Sequence, residues 1–403
     1  MSFPTIFIFS YFVLIYLQAL NIYLNKIYEF SFLIATWLVP YIFVLTAAAW
    51  LFLMNHGPRK NRSSFFKHRV STREEKIVKL TPFISTLLVI LPIIYLIDKG
   101  IEGTAFFFLI SNPGEIQEAL KLRIGGLVSN YSPVMTVIYS YSRSLFYPIY
   151  IAIMVALRVN GLISKTHLSA VLAVAALYSV FTAAKAPLAT LLITGLISAY
   201  FSKRSRILSI RFLSLAFLGL FLPALLYPLW FGSESQDTLF VAASNLWRRL
   251  TLVPSQASAV YFEAFTNTYP HLGFSSNRWL ATIFGVDYNP TPSLIYKDYL
   301  QGSVEGGLVN ASYFASFYAD WGILGVVFGT GMVALILASL QIFFDRSNAD
   351  ALTTGIRAVA LVATVQLMLT NFYSVCLGRG LISSSILLII INFFFKKSKS
   401  RFI

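Results

Sequence analysis

The side chains best suited to chemistry in this sequence are cations that lie inside or beside long apolar runs. Arg143 is the single charged residue between residues 132 and 157. Lys185 stands where two short apolar runs meet, and Pro187 suits the first turn of the helix that follows. A basic group in or near a bilayer is costly and usually marks a functional site, and a helix N-terminus also favours phosphate. These two residues therefore predict a phosphate or pyrophosphate site, with snorkelling to the lipid headgroups as the alternative.

Further cations extend this prediction. Arg248 and Arg249 follow the apolar stretch from Leu239 to Trp247. Two adjacent guanidiniums offer two bidentate forks for phosphate oxygens, although on a helix they point about 100° apart. A solvated pair at the membrane interface is the alternative. Arg123 is expected to assist, and Arg278 and Arg379 are weaker candidates.

The sequence indicates the residues that could accept a proton less clearly than it indicates the cations. Glu263, His271 and Asp320 are candidates for removing a proton from a sugar hydroxyl, because a carboxylate or an imidazole can act as a general base. Nothing in their spacing selects one of them, and each acid is equally readable as a solvated loop carboxylate. Asn310 could hydrogen-bond a sugar or cap a helix, and Arg278 is assigned with it to glycan binding.

The composition requires elements that lie in a membrane. Of the 403 residues, 57% are hydrophobic and 12% are charged, whereas soluble domains carry about 25% charged residues. This excludes an ordinary soluble enzyme, and the single cysteine, Cys376, excludes a disulfide framework. We predict an all-α, polytopic membrane protein with about ten transmembrane helices, within a range of ten to twelve. The predicted spans are 3–24, 30–54, 81–97, 132–157, 168–184, 186–202, 212–231, 321–344, 358–376 and 380–395.

The distribution of charge predicts the topology. With a cytoplasmic amino terminus, the inner segments hold 20 of the 31 Lys and Arg residues and only 4 of the 16 acids. The net charge of +15 is then explained by topology and anionic lipid, so nucleic acid is not expected as a partner. The predicted organisation is an N-terminal helical region (1–231), a large periplasmic loop (232–320) and C-terminal helices with a basic cytoplasmic tail (321–403). A short interfacial helix is predicted over 113–123.

Tightly spaced motifs of other functions are missing from the sequence. There is no GxxxxGK[ST] loop, no HExxH and no DxD pair. Their absence disfavours ATP-driven transport and a metal-dependent transferase. We therefore predict no metal and no cofactor.

Three stretches resemble the Wzy-type polysaccharide polymerases, which are related to the O-antigen ligases. Asn310-Ala-Ser with Tyr318-Ala-Asp-Trp-Gly322-Ile-Leu-Gly325 is similar to the small-residue entry into the span after the family's large loop. Thr182-Ala-Ala-Lys185-Ala-Pro sits where many relatives have a Ser-Arg-Gly-like turn, and Trp247-Arg248-Arg249 resembles the basic site at the start of that loop. Lys185 replaces the commoner arginine, and no Arg is followed eleven residues later by Gly in the external loops.

The resemblance implies an inverting, metal-independent glycosyltransferase of the bacterial inner membrane whose active site faces the periplasm. Such enzymes join oligosaccharide repeat units carried on undecaprenyl pyrophosphate and release undecaprenyl pyrophosphate. The cations Arg123, Arg143, Lys185, Arg248 and Arg249 would hold the departing pyrophosphate, because developing negative charge requires preorganised positive groups. Membrane lipids, a chain-length regulator and a flippase are the expected partners.

Two other functions remain open from the sequence. An O-antigen ligase would use the same donor but transfer the glycan to a lipid A core. A lipid-linked oligosaccharide flippase would need charges along a path through both leaflets, and the predicted spans other than the fourth hold none.

Overall fold

A computed structural model describes residues 2–24, 29–54, 72–112, 115–126, 130, 132–202, 238–302, 308–347 and 350–397. Within these ranges all regular secondary structure is helical, so the predicted all-α class is confirmed. The first ten helices are α1 (Phe3–Tyr11), α2 (Leu17–Leu24), α3 (Phe30–Met54), α4 (Thr72–Lys99), α5 (Ala105–Ser111), α6 (Ile116–Gly125), α7 (Pro133–Tyr141), α8 (Tyr147–Val159), α9 (Lys165–Val180) and α10 (Lys185–Ser202). The remaining six are α11 (Thr238–Asn267), α12 (Arg278–Phe284), α13 (Thr291–Leu294), α14 (Tyr313–Arg346), α15 (Ala351–Gln366) and α16 (Ser383–Lys397).

Six helical stretches among the described residues are long and apolar enough to cross a membrane, as in a multi-pass membrane protein. They are Phe3–Ile22, Phe30–Met54, Arg73–Lys99, Pro133–Val159, Tyr313–Arg346 and Ser374–Phe393. Three further predicted spans correspond to shorter apolar helices, Lys165–Val180, Ala186–Ser202 and Ala351–Gln366. The predicted span 212–231 lies outside the described residues. The count of about ten therefore stays a prediction, as does the periplasmic side of the large loop.

The chain divides into two compact units that interleave in sequence. Unit 1 comprises Met1–Asn61, Trp247–Arg346 and Ala363–Cys376. Unit 2 comprises Arg62–Leu246, Ser347–Val362 and Leu377–Ile403. The three regions predicted from the sequence follow the chain order, whereas these units are defined by packing.

Aromatic side chains form the core of unit 1, where α14 packs against α3. Phe7 stacks on Phe43 with ring centroids 3.9 Å apart, and Phe262 stacks on Tyr318 at 3.8 Å. Offset stacking of this kind adds about 0.5–1.5 kcal/mol per pair to the apolar burial. The indole N–H of Trp50 donates to the hydroxyl of Ser339 at 2.9 Å, which fixes the two helices at the other end of their contact.

Helix α14 is broken at Trp321 and Gly322. Trp321 has φ −140° and ψ 23°, and Gly322 has φ 62° and ψ −150°, so residues 313–320 form a short helix before the long apolar segment. The conformation of Gly322 belongs to a region that only glycine adopts without strain. The break therefore depends on this glycine and leaves Asp320 at the end of the short helix.

Unit 2 is built on α8, which is buried along most of its length and packs against α10. The Ser198 hydroxyl donates to the carbonyl of Ala152 at 2.6 Å. Helix α15 also approaches closely, because a Cβ on Gly355 would lie 2.7 Å from the Ile153 backbone nitrogen. Small residues thus allow close packing around α8, as is usual between membrane helices.

Candidate functional site

Arg143 lies on a π-helical turn, Ser142–Phe146, between α7 and α8. Such turns insert one extra residue into a helix and often occur at functional sites. The Arg143 side chain is only 9% exposed although it carries a charge. Burial of a guanidinium is costly unless something compensates the charge, so its surroundings in unit 2 decide its role.

Neutral groups surround Arg143. Its guanidinium donates a short hydrogen bond to the hydroxyl of Thr182, and the phenols of Tyr95 and Tyr178 lie close enough to interact with its charge. No carboxylate within the described ranges forms an ion pair with it. Asp98, which lies beside Tyr95, instead accepts the backbone N–H of Asn130 at 3.0 Å. Arg143 is therefore a buried cation without a counter-ion among the described residues.

A second arginine, Arg379, belongs to a segment whose backbone packs against this turn. The Ser144 hydroxyl donates to the carbonyl of Gly378 at 2.8 Å. A Cβ on Gly380 would come within 2.9 Å of the Leu145 side chain, so the backbone at 378–380 rests directly on the turn that carries Arg143. Arg379 is half-buried and has no hydrogen bond or ion pair within the part of the chain that the structure describes.

The end of α6 and the start of α10 lie close to Arg143 in unit 2. A Cβ on Gly126, just after α6, would lie 3.1 Å from the Tyr95 hydroxyl and 3.2 Å from the Thr182 methyl group. Arg123, near the end of α6, is exposed and lies close enough to Arg143 for the two charges to interact. Lys185 begins α10 three residues after Thr182. The structure thus gathers around one turn the backbone positions of Arg123, Arg143 and Lys185.

Chemically, this arrangement suits an anion. Arg143 and Arg379 each offer guanidinium N–H groups, the Thr182 hydroxyl adds a neutral polar group, and the start of α10 contributes partial positive charge. Phosphate oxygens accept such donors in bidentate pairs. We name Arg143, Thr182 and Arg379 the arginine pocket of unit 2.

Arg248 and Arg249 belong to the other unit. Both are exposed on α11, in unit 1, whereas the remaining predicted pyrophosphate ligands belong to unit 2. Their assignment to the pyrophosphate stays a prediction.

The three candidate bases share unit 1 but differ in accessibility. Asp320 is 2% exposed, and its Oδ1 atom has no partner within the described residues. Glu263 is half-buried, and burial first and the nearby Glu263 carboxylate second raise the pKa of Tyr299. His271 is exposed, so it is the candidate most open to a substrate.

The break in α14 positions His271. The imidazole Nε2 lies 2.9 Å from the place that a Cβ on Gly322 would occupy. The ring stacks on Phe265 with centroids 6.5 Å apart and meets the edge of Tyr318 at 5.5 Å. The backbone N–H of Leu272 donates to the carbonyl of Ala319 at 3.0 Å, which holds the segment against the short helix. His271 therefore sits against the broken helix.

The two predicted glycan ligands are both exposed in unit 1. Arg278 begins α12, and Asn310 lies in the extended segment before α14. No contact within the described residues joins them, so the structure does not bring them together as one site.

Two members of the arginine pocket were missed or given little weight from the sequence. Arg379 was only a weak candidate, although it is a cation between two apolar runs and is flanked by glycines on both sides. Thr182 was read only as part of the turn before Lys185. An unpaired cation within an apolar stretch was the signal that could have selected Arg379.

No family model, no curated protein and no solved structure matches this chain. Among the described residues, no three His, Cys, Asp or Glu side chains converge as they would around a metal ion. Function must therefore be argued from the geometry of the side chains.

Proposed function

We propose that this chain is a glycosyltransferase that polymerises oligosaccharide repeat units linked to undecaprenyl pyrophosphate, at the periplasmic face of the bacterial inner membrane. The observation that carries the proposal is the arginine pocket, where a buried guanidinium has no carboxylate partner among the described residues and the backbone beside a second arginine packs against its turn. A pyrophosphate would supply the missing negative charge. Its lipid tail suits a protein whose described residues include six apolar helices of membrane-spanning length.

In the proposed reaction, an acceptor sugar hydroxyl attacks the anomeric carbon of the donor glycan. The new C–O bond forms as the bond between that carbon and the pyrophosphate oxygen breaks, and the configuration inverts. The electron pair leaves with the pyrophosphate, where Arg143 and Arg379 neutralise it, with Lys185 and Arg123 assisting. Preorganised charge of this kind is commonly the largest contribution to catalysis.

The acceptor hydroxyl must also lose its proton. The candidate bases remain His271, Glu263 and Asp320, of which His271 is exposed and Asp320 is buried. An imidazole accepts a proton readily near neutral pH.

The decisive experiment uses the full chain, purified and reconstituted in vesicles with a lipid-pyrophosphate-linked repeat unit as the only glycan. A ladder of longer lipid-linked glycans is expected. Arg143→Gln and Arg379→Gln should each lower the rate by roughly 100-fold or more, because a charge aimed at the leaving group is lost. Lys121→Gln is the matched control, since this exposed cation lies on α6 and pairs with Glu118 at 3.0 Å.

The products separate the competing functions. A ligase would leave the single repeat unit unchanged until a lipid A core is added as acceptor. A flippase would move the repeat unit across the bilayer without making a new glycosidic bond. Equal ladders from wild type and both arginine variants would refute the arginine pocket as the donor site.

A further inference from the structure

Helix α12 exposes a large apolar surface in the region predicted to be a loop in water. Trp279 and Ile283, four residues apart, are each 73% exposed, and Phe284 is also exposed. The opposite side of the helix is fixed, because Ala281 is buried. Asn277 caps its start, and Gly285 ends it with φ 66°. We name Trp279, Ile283 and Phe284 the α12 patch.

Aromatic contacts fix the position of the α12 patch relative to the membrane-spanning part of α14. Phe274 stacks on Phe284 with centroids 3.9 Å apart and meets the edge of Trp321 at 5.6 Å. Trp321 opens an uncharged run that lasts until Asp345. Tryptophan is enriched where a span meets the water interface. The α12 patch therefore lies at the level where this span ends.

The α12 patch continues a lipid-facing surface. Below the break, α14 exposes Leu324 and Phe328, which are four residues apart and therefore lie on one side of the helix. Exposed apolar residues on a spanning helix face acyl chains. Phe274 joins Phe284 of the α12 patch to Trp321, directly before this helical segment, within unit 1.

A positively charged residue lies beside the α12 patch. Arg278 precedes Trp279, is exposed, and its side chain has no partner among the residues that the structure describes. An arginine beside a tryptophan at a bilayer surface suits the combination of phosphate headgroup and acyl boundary.

We propose that α12 is an interfacial membrane anchor. Trp279, Ile283 and Phe284 enter the boundary between headgroups and acyl chains of the surrounding phospholipid, and Arg278 contacts the phosphates. This part of the large loop is then bound to the bilayer surface and not immersed in water. The inference is independent of glycosyl transfer.

The test places a polarity-sensitive nitrobenzoxadiazole label on Ile283→Cys in the full chain, with the native thiol removed by Cys376→Ala. The protein is reconstituted in phosphatidylglycerol and phosphatidylcholine vesicles. A label at 283 should emit at shorter wavelength than in water, be quenched by shallow doxyl-labelled phospholipid, and be quenched several-fold less by iodide than the control. The control is Lys297→Cys, which is also exposed and lies in the same region of the chain.

The outcomes decide between occupants of the surface. Iodide quenching at 283 equal to that at 297 would show a water-exposed surface and overturn the proposal. Protection from both quenchers would show that protein covers the α12 patch, and would overturn it as well. Arg278→Gln should weaken the doxyl quenching that anionic vesicles produce at 283, whereas an unchanged value would remove the phosphate contact from the proposal.

Discussion

Arg143 is a charged side chain buried among neutral groups, and the energetic cost of that burial indicates a binding site. An arginine at the centre of a membrane helix costs about 2.5–3.5 kcal/mol on insertion scales. The Thr182 hydroxyl and nearby phenols return only part of that cost, because neutral hydrogen bonds contribute about 1 kcal/mol each. A bound anion would supply the remainder, which is the physical basis of the proposed function.

Gly322 is the residue on which the placement of His271 depends. We expect Gly322→Ala to lower the free energy of unfolding by about 1–3 kcal/mol, because its backbone conformation strains any residue with a Cβ. The added methyl group would also displace the imidazole of His271. Thermal unfolding in detergent micelles measures the first effect.

The matched control for this variant is Gly331→Ala on the same helix. A Cβ there would meet no atom within 4 Å, so the substitution should be neutral or stabilise by about 0.5–1 kcal/mol. Equal melting temperatures for the two variants would contradict the role assigned to Gly322.

Sequence reasoning recognised the charged residues better than their neighbours. Arg143 stood out because charge in an apolar run is visible in one dimension. Arg379 gained weight only because its neighbour in sequence, Gly378, accepts a hydrogen bond from Ser144, more than two hundred positions away. The inaccessibility of Asp320 and the closeness of Tyr299 to Glu263 likewise depend on folding, so the sequence could not rank the three bases.

Among the elements, the packing of α15 against α8 shows how closely membrane helices depend on small residues. In unit 2, Gly355 faces the backbone of Ile153, whereas Gly195 on α10 faces side-chain methyl groups of α8. Backbone atoms cannot rotate away from an added group, but side chains can adjust. The two glycines therefore differ in tolerance.

We expect Gly355→Ala to destabilise unit 2 by about 1–3 kcal/mol, the usual cost of overpacking. Its Cβ would lie 2.7 Å from the Ile153 nitrogen. Gly195→Ala, whose Cβ would meet its nearest atom at 3.6 Å, should have little effect. Thermal unfolding of the reconstituted protein measures both, and a larger loss from Gly195→Ala would contradict this account.

Elements were predicted well where local signals suffice. A helix is observed at Ile116–Gly125, within the region where a short interfacial helix is predicted over 113–123; its N-cap, Glu115, makes no side-chain cap hydrogen bond, and its interfacial position stays a prediction. The break in α14 was not predicted. Gly322 and Gly325 were read as sites of close approach, and a φ of 62° is not visible in residue types.

For the protein as a whole, the charge distribution predicts which segments face the cytoplasm. Basic loops are retained on the inner side of the membrane, so 158–167 should be internal and both 98–131 and 232–320 external. The structure contains no bilayer, and this orientation therefore needs a direct measurement.

Cysteine accessibility in intact cells provides that measurement. In a Cys376→Ala background, Glu102→Cys and Lys297→Cys should react with a membrane-impermeant maleimide. Lys165→Cys should react only after the membrane is permeabilised. All three residues are exposed, so a lack of reaction would not be due to burial of the side chain. Labelling of Lys165→Cys in intact cells would reverse the predicted orientation.

The class of the fold followed from composition, but its division into units did not. Long uncharged apolar runs in a sequence with few charges indicate helices, which satisfy their own backbone hydrogen bonds in lipid. Which helices pack together depends on aromatic and glycine contacts between distant residues, such as Phe7 with Phe43 and α14 with α3. The regions predicted in chain order therefore differ from the compact units.

The interleaving of the two units imposes an order on synthesis. Unit 1 cannot assemble when its first stretch, Met1–Asn61, leaves the ribosome, because its partners begin at Trp247 and end at Cys376. The helices from α4 to α10 emerge as one continuous block in between and can pack before α14 exists. Helices α1 and α3, which contact each other through Phe7 and Phe43, must therefore remain in the bilayer without α14 until α4 to α10 have been made.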